Sequence, residues 1–316
     1  MKNESHMAQY VIQKYGAFIA LVLLVIVNCF ITPNFMNVST FWNLMNQSTT
    51  VMILGLGMVI VIATGGINIS VGSVMALSAM ALAKIVFQKQ IVLGIIVCLL
   101  IAAFTGAITG LIITKFKIQP MIATMAMMYM LRGVAKLANG GTAMNYKNPQ
   151  FSNIAYIKIA GQVPIQFLLV SILVFLVYIL IKKTPFGSYV EAYGDNPQAT
   201  RAAGINVILI VTVCYVICNL LAGISGIMEA IATTCADPVN MGLNKETDAI
   251  AAVVVGGTPM SGGKPNIPGM ICGVLVLQLI TIMINMNNIP YSYSLVIKAL
   301  IIAVSLYVQN ANKKQI

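Results

Sequence analysis

Polar residues interrupt this chain so rarely that it offers roughly ten separate apolar runs, and that pattern decides most of what it can fold into. A helix crossing a bilayer needs about 20 predominantly apolar residues, because the hydrocarbon core is about 30 Å thick. The runs fall at approximately 17–31, 45–63, 70–87, 91–113, 118–138, 164–181, 207–233, 248–258, 267–286 and 292–309. Only 8% of the 316 residues are charged, against about 25% in soluble domains. The pattern predicts an all-α polytopic membrane protein with about ten transmembrane helices. The gaps leave no room for a soluble domain, so 1–316 reads as a single transmembrane domain in the lipid bilayer. The eighth run is too short to span alone. It is expected to extend into the glycine stretch behind it or to be a broken helix. The first run lacks an A-x-A cleavage site and is followed by Thr32-Pro33-Asn34, so it reads as an uncleaved span.

A net charge of +11 raises the question of nucleic acid. With a cytoplasmic N-terminus and ten spans, ten cationic residues fall inside: Lys2, Lys14, Lys115, Lys117, Lys182, Lys183, Arg201, Lys264, Lys313 and Lys314. Seven fall outside or near the outer end, a bias in the direction of the positive-inside rule. No basic stripe carries interleaved aromatics, so no nucleic-acid partner is expected. The six cysteines lie mostly in apolar runs, and the only histidine is His6. They read as small packing residues, with no metal site.

Three stretches break the apolar pattern. VVVGGTPMSGGKPNIPG, residues 253–269, looks at first like a phosphate loop. A Walker A loop requires Gly five residues before its Gly-Lys pair and Ser or Thr after it. Here Thr258 and Pro265 stand at those places, so the stretch reads as a turn between spans. ATGGINISVGSVMALSAM, residues 63–80, sets two glycines and a polar cluster between apolar segments. Broken helices are tolerated at membrane depth only where protein or a watery cavity satisfies the freed backbone. Such segments mark transport paths. Gly65, Gly66, Asn68, Ser70 and Ser73, with Gln278 from the ninth run, are therefore candidates for a translocation path. Hydrogen bonding between helices is the alternative use of such residues.

The third stretch is the inner loop 182–206. Asn196 before Pro197 gives an N-cap followed by proline at the first helical position. A helix of about seven residues should follow, stopped by Gly204. Too short to stand alone, it presents Ala199, Ala202 and Ala203 beside Arg201, which suits a lever for a cytoplasmic partner. The outer loop 139–163 is a candidate docking surface for an extracytoplasmic partner, or a passive connector. Arg132, Glu229, Asp248 and Lys298 are ionisable groups in or near spans, rare enough there to raise functional hypotheses. Pairing within the bundle is one reading. Helix capping by Asp248 and partner docking by Glu229 are others.

The order of these stretches resembles a known family. Thr64-Gly65-Gly66-Ile67-Asn68-Ile69-Ser70-Val71-Gly72-Ser73, Tyr193-Gly194-Asp195-Asn196 through Ala203-Gly204-Ile205, Thr247-Asp248-Ala249-Ile250, Gly256-Gly257-Thr258, Gly262-Gly263-Lys264 and Lys298 carry the likeness across essentially the whole chain. The chain resembles the permease subunit of bacterial ABC monosaccharide importers, in the ribose/xylose/arabinose/galactoside branch. Lys117-Ile118-Gln119-Pro120, Arg132-Gly133-Val134-Ala135 and Val308-Gln309-Asn310 look most like the galactofuranose-type permeases. One departure is Asn68, where the family usually has Asp.

The resemblance implies a type II ABC importer-like permease with broken helices in the bacterial inner membrane. It implies a homo- or heterodimer with a second permease subunit, a cytoplasmic ABC ATPase that binds the ATP-Mg, and an extracytoplasmic sugar-binding protein. The chain itself would hold no cofactor and not be an enzyme. Residues Asn196, Pro197, Ala199, Arg201, Ala202, Ala203 and Gly204 would form the coupling helix seated on the ATPase. An ion-coupled secondary transporter is the alternative, and would place carboxylates at the bilayer midplane; here they fall at span ends or in loops. A membrane enzyme lacks a His, carboxylate or metal set. Asn68→Asp is expected to be tolerated or to change only the rate.

Overall fold

The computed structural model describes residues 2–86, 90–146, 157–159 and 163–313. Each of the ten apolar runs is helical. In chain order the helices are α1 Lys2–Ile31, α2 Val38–Ala63, α3 Val71–Val86, α4 Ile91–Lys115 and α5 Pro120–Leu137. Next come α6 Ile165–Lys183, α7 Pro185–Asp195, α8 Pro197–Ala202 and α9 Val207–Thr233, then α10 Lys245–Val255, α11 Ile267–Met286 and α12 Ser292–Lys313. The described residues also hold four two-residue strands: β1 Met144–Asn145, β2 Lys158–Ile159, β3 Val163–Pro164 and β4 Cys235–Ala236. β1 pairs antiparallel with β4 and β2 with β3.

Among the described residues five helices, α2, α4, α6, α9 and α11, are long and apolar enough to cross a membrane. The chain is a multi-pass, predominantly helical membrane protein. The eighth run does not continue into the glycine stretch. α10 is 11 residues, or about 16 Å long, and ends at Gly256, where Gly257 turns the chain with φ of +88°.

α9 is the central post. It packs against α2, α3 and α4, and its 27 residues give it a length of about 40 Å. α2 is buried on every side from Ser48 to Ala63, as a helix apolar all round should be. α4 differs: it buries only Gly94, Cys98, Ala102, Thr105, Gly106, Thr109 and Gly110. Those residues recur at helical spacing and form one stripe of small side chains. A stripe of that kind brings two helix backbones together without a hydrophobic driving force. Gly106 lies on the backbone of Tyr215 and Val216 in α9, where a Cβ would sit 2.7 Å from each. Leu100, Phe104 and Leu111, on the other faces of α4, are exposed as lipid-facing residues should be.

Candidate functional site

Polar groups collect at three levels along α9: beside α8, near its middle, and at its far end. The level beside α8 is built from backbone. Asn196 caps α8, its Oδ1 accepting from the Gln198 and Ala199 amides at 3.0 Å each. Thr200 is the buried anchor of this helix, and its hydroxyl donates to the Asn196 carbonyl at 2.9 Å. Gln198, Ala199, Arg201, Ala202, Ala203 and Gly204 are exposed. Gly204 closes the helix with φ of +79°.

α7, just before α8, ends against two other segments. A Cβ on Gly194 would collide with the Ala63 carbonyl at the end of α2 and with the Gly263 amide. Gly263, at φ +111°, donates its N–H to that same Ala63 carbonyl at 2.9 Å. The glycine stretch is thus a wedge in which the end of α2, the end of α7 and the approach to α11 meet through backbone. Asn266 then starts α11: its Oδ1 accepts from the Gly269 amide at 3.1 Å, and its Nδ2 donates to the Gly256 carbonyl at 2.8 Å.

At the middle level the chain leaves α2 at Ala63 and runs without regular structure to Ser70. This brings Asn68 level with Asn219, the thirteenth residue of α9. Asn68 is fully buried. Its Nδ2 donates to Asn219 Oδ1 at 2.8 Å, and its Oδ1 accepts from the Ser70 hydroxyl at 2.7 Å and the Ser70 amide at 3.2 Å. Asn219 in turn donates to Thr105 Oγ1 at 3.2 Å, which ties in α4. The freed backbone of the broken segment is held by protein. A carboxylate at position 68 would face Asn219 Oδ1, and would gain a donor only if the Asn219 amide turned and gave up its bond to Thr105 Oγ1. The tolerance expected of Asn68→Asp therefore requires the Asn219 amide to turn.

At the far end a cavity of about 530 Å³ opens between α2, α6, α9, α10, α11 and α12. Its lining includes Asn46, Thr50, Gln166, Glu229, Lys245, Asp248, Gln278, Thr281, Tyr291 and Lys298. Lys298, almost wholly buried, grips both oxygens of Asp248 at 3.0 and 3.1 Å. Lys245 lies 3.4 Å from Glu229. These four ionised groups sum to zero. Arg132 stands outside this set: its guanidinium donates to the Met241 carbonyl at 2.7 Å and holds the loop before α10. In that loop, burial would raise the Asp237 carboxyl. Hydrogen bonds from Asn240 and Val239, with Arg132 nearby, hold it below its ordinary value instead.

The six path candidates therefore do not share one place. Gly65 and Gly66 lie just past the end of α2, against Ser261 and Tyr215 respectively. Asn68, Ser70 and Ser73 are fully buried at or near the broken segment, and Gln278 lines the cavity. Of the four intramembrane charges, Asp248 and Lys298 pair with each other, Glu229 lies beside Lys245, and Arg132 bonds backbone carbonyls. Asn46, Gln166, Lys245, Thr281 and Tyr291 were missed by the sequence reading. The run Asn46-Gln47-Ser48-Thr49-Thr50, five polar residues opening a span, was the available signal. Of the outer loop 139–163, residues 147–156 and 160–162 lie outside the described residues.

Comparison with known proteins decides the family. The family model described as "Branched-chain amino acid transport system / permease component" matches residues 40–306. The chain belongs to this permease family. The ribose import permease protein of Escherichia coli (strain K12) is 34% identical over 95% of this chain and 94% of its own length. The galactofuranose transporter permease protein of the same organism is 33% identical, over 92% and 88%. The L-arabinose ABC transporter permease protein of Azospirillum brasilense is 29% identical, over 90% and 83%. No solved structure matches the chain.

Proposed function

We propose that this chain is the membrane-spanning permease subunit of an ATP-driven importer and forms the translocation path for a monosaccharide. Its relatives carry ribose, galactofuranose and arabinose in their names. The single observation that carries the mechanistic reading is α8. It is a six-residue helix, too short to persist alone, yet capped, anchored by Thr200 and exposed on its remaining faces. We assign it as the coupling helix, with Asn196, Pro197, Ala199, Arg201, Ala202, Ala203 and Gly204 seated on a cytoplasmic ABC ATPase.

In this reading the α8 end faces the cytoplasm, in keeping with Lys115, Lys117, Lys182, Lys183 and Lys264 near it. The far end receives sugar from an extracytoplasmic binding protein. The protein sits in the bacterial inner membrane, paired with a second permease subunit, and residues 1–316 act as one domain. ATP and Mg²⁺ belong to the ATPase, so the chain performs no chemistry. Its task is to convert a push on α8 into a different packing of the bundle. The wedge at Ala63, Gly194 and Gly263 suits that task. Three backbones in contact leave no compressible side chain between α7 and the ends of α2 and α11, and close-packed interiors transmit displacement. ATP then shifts the population between two packings by binding one of them better.

The test is uptake into proteoliposomes holding the permease and ATPase, with the binding protein outside. ATP-dependent accumulation of a labelled monosaccharide is expected. Ala202→Arg, which places a long charged side chain on the exposed face of α8, should abolish uptake and stimulated ATP hydrolysis while membrane insertion is unchanged. Uptake driven by an ion gradient through this chain alone would contradict the assignment.

A further inference from the structure

Two glutamines in the far-end cavity have no hydrogen-bond partner among the described residues. Gln166, from the first turn of α6, is 8% exposed, and Gln278, from the middle of α11, is 7% exposed. Both line the cavity. Asn46 Oδ1, on α2, is buried there without a hydrogen bond. Three amide groups from three different helices thus converge on one space with bonding capacity that no other described residue takes up, and a few polar groups placed that way in a largely apolar cavity are what orients a small ligand. The cavity's volume of about 530 Å³ lies in the range of roughly 300–1,000 Å³ typical of small-molecule sites.

Resting on the permease reading above, we propose that this chamber is a transient binding site for a neutral polyhydroxylated solute, whose hydroxyls bond Gln166, Gln278 and Asn46. The charges narrow the ligand class. Lys298 and Asp248 satisfy one another at 3.0 Å, and Lys245 and Glu229 lie 3.4 Å apart. Among the described lining residues no net charge remains to select an anion or cation, and each ammonium already faces a carboxylate, which disfavours a zwitterion such as an amino acid. Apart from one Glu229 oxygen, which faces Lys245 without a hydrogen bond, what is left unmatched is amide, which both donates and accepts, as a sugar hydroxyl does. The position fits a passage site. The lining reaches Thr233 at the far end of α9 and Gln278 midway along α11. Cargo released at the far face would meet these groups before it met the closed network at Asn68. A few amides with no charged anchor give a weak site, and cargo in passage must leave as readily as it enters.

The chain contains one tryptophan, and its position makes it a reporter. Trp42 packs against Phe167, next to Gln166, with ring centroids 5.9 Å apart, and lies one helical turn before Asn46. The experiment is a titration of Trp42 fluorescence in nanodisc-embedded permease with D-ribose, L-arabinose and D-galactose. L-leucine and cyclohexanol serve as zwitterionic and apolar comparisons. At least one sugar should give a saturable change, and leucine and cyclohexanol none. Gln278→Leu and Gln166→Leu, similar in volume and without the amide, should each raise the midpoint by about tenfold, the scale of a lost hydrogen bond to a desolvated partner. Gln278→Asn, which keeps an amide on a shorter stem, should fall between. No saturable response to any sugar overturns the proposal, as does an unchanged midpoint in both leucine variants or equal saturation by leucine.

Transport separates this proposal from the one beneath it. If the reconstituted importer takes up sugar with ATP and both leucine variants match its maximal rate, the chamber is refuted and the permease reading stands. If the wild-type importer takes up no monosaccharide with ATP, the permease reading itself falls.

Discussion

Two polar regions lie inside this apolar bundle, and they differ in one respect: whether the hydrogen bonds of their amides close. At Asn68 every amide group has a partner within the chain, linking the broken segment to α9 and α4. In the far-end cavity the charges close on one another while the amides of Gln166 and Gln278 do not. Buried polar networks that are fully satisfied rigidify a core, and those left partly open carry a cost that only a ligand or water relieves. Residue type does not separate the two regions, since both are built on amides. The closure of the network separates them.

The comparison can be broken most forcefully at Lys298. Lys298→Met leaves Asp248 without its partner, and removing one member of a buried pair costs about 3–5 kcal/mol. Asp248 keeps 20% side-chain exposure, so a loss of about 2–3 kcal/mol is expected in detergent unfolding. Asp248→Asn combined with Lys298→Met should recover most of it. If the double variant is no better than the single one, the pair is not what holds α10 to α12.

A matched substitution sharpens the contrast next. Asn68→Asp and Gln278→Glu make the same amide-to-carboxylate change in the closed and the open region. The first should lower stability by about 2 kcal/mol, because a fully buried carboxylate is desolvated and can take a donor from Asn219 only by breaking that residue's bond to Thr105. The second should cost under about 1 kcal/mol, since the cavity can hydrate the new charge. Equal effects would erase the distinction. The smallest effect belongs to Lys245→Gln. That ion pair is more exposed, with side chains at 28% and 19%, and its loss should change stability by less than about 1 kcal/mol.

Much of the fold was legible because its cause is local. Ten apolar runs became ten helices, and Asn196-Pro197 with Gly204 marked the bounds of α8 to within a residue. The short α10 was misjudged in one direction: Gly256 and Gly257 stop it, and its extra turn lies at the Lys245 end. The sites were less legible, because closure is a property of distant pairs. The partnership of Asn68 with Asn219 spans 151 positions and that of Lys298 with Asp248 spans 50. No spacing rule links such residues. Gln166 was passed over for the same reason. A lone glutamine opening an apolar run looks like a span boundary until five other helices are placed around it.

The most direct measurement of the central claim compares Asn68→Ala with Gln278→Leu in nanodiscs, reading melting temperature and the Trp42 sugar midpoint on the same samples. Asn68→Ala should lower the melting temperature and leave the midpoint where it is. Gln278→Leu should keep or raise the melting temperature and move the midpoint by about tenfold. If Asn68→Ala moves the midpoint while Gln278→Leu only destabilises, the assignment of structural and binding roles is reversed and the account is wrong.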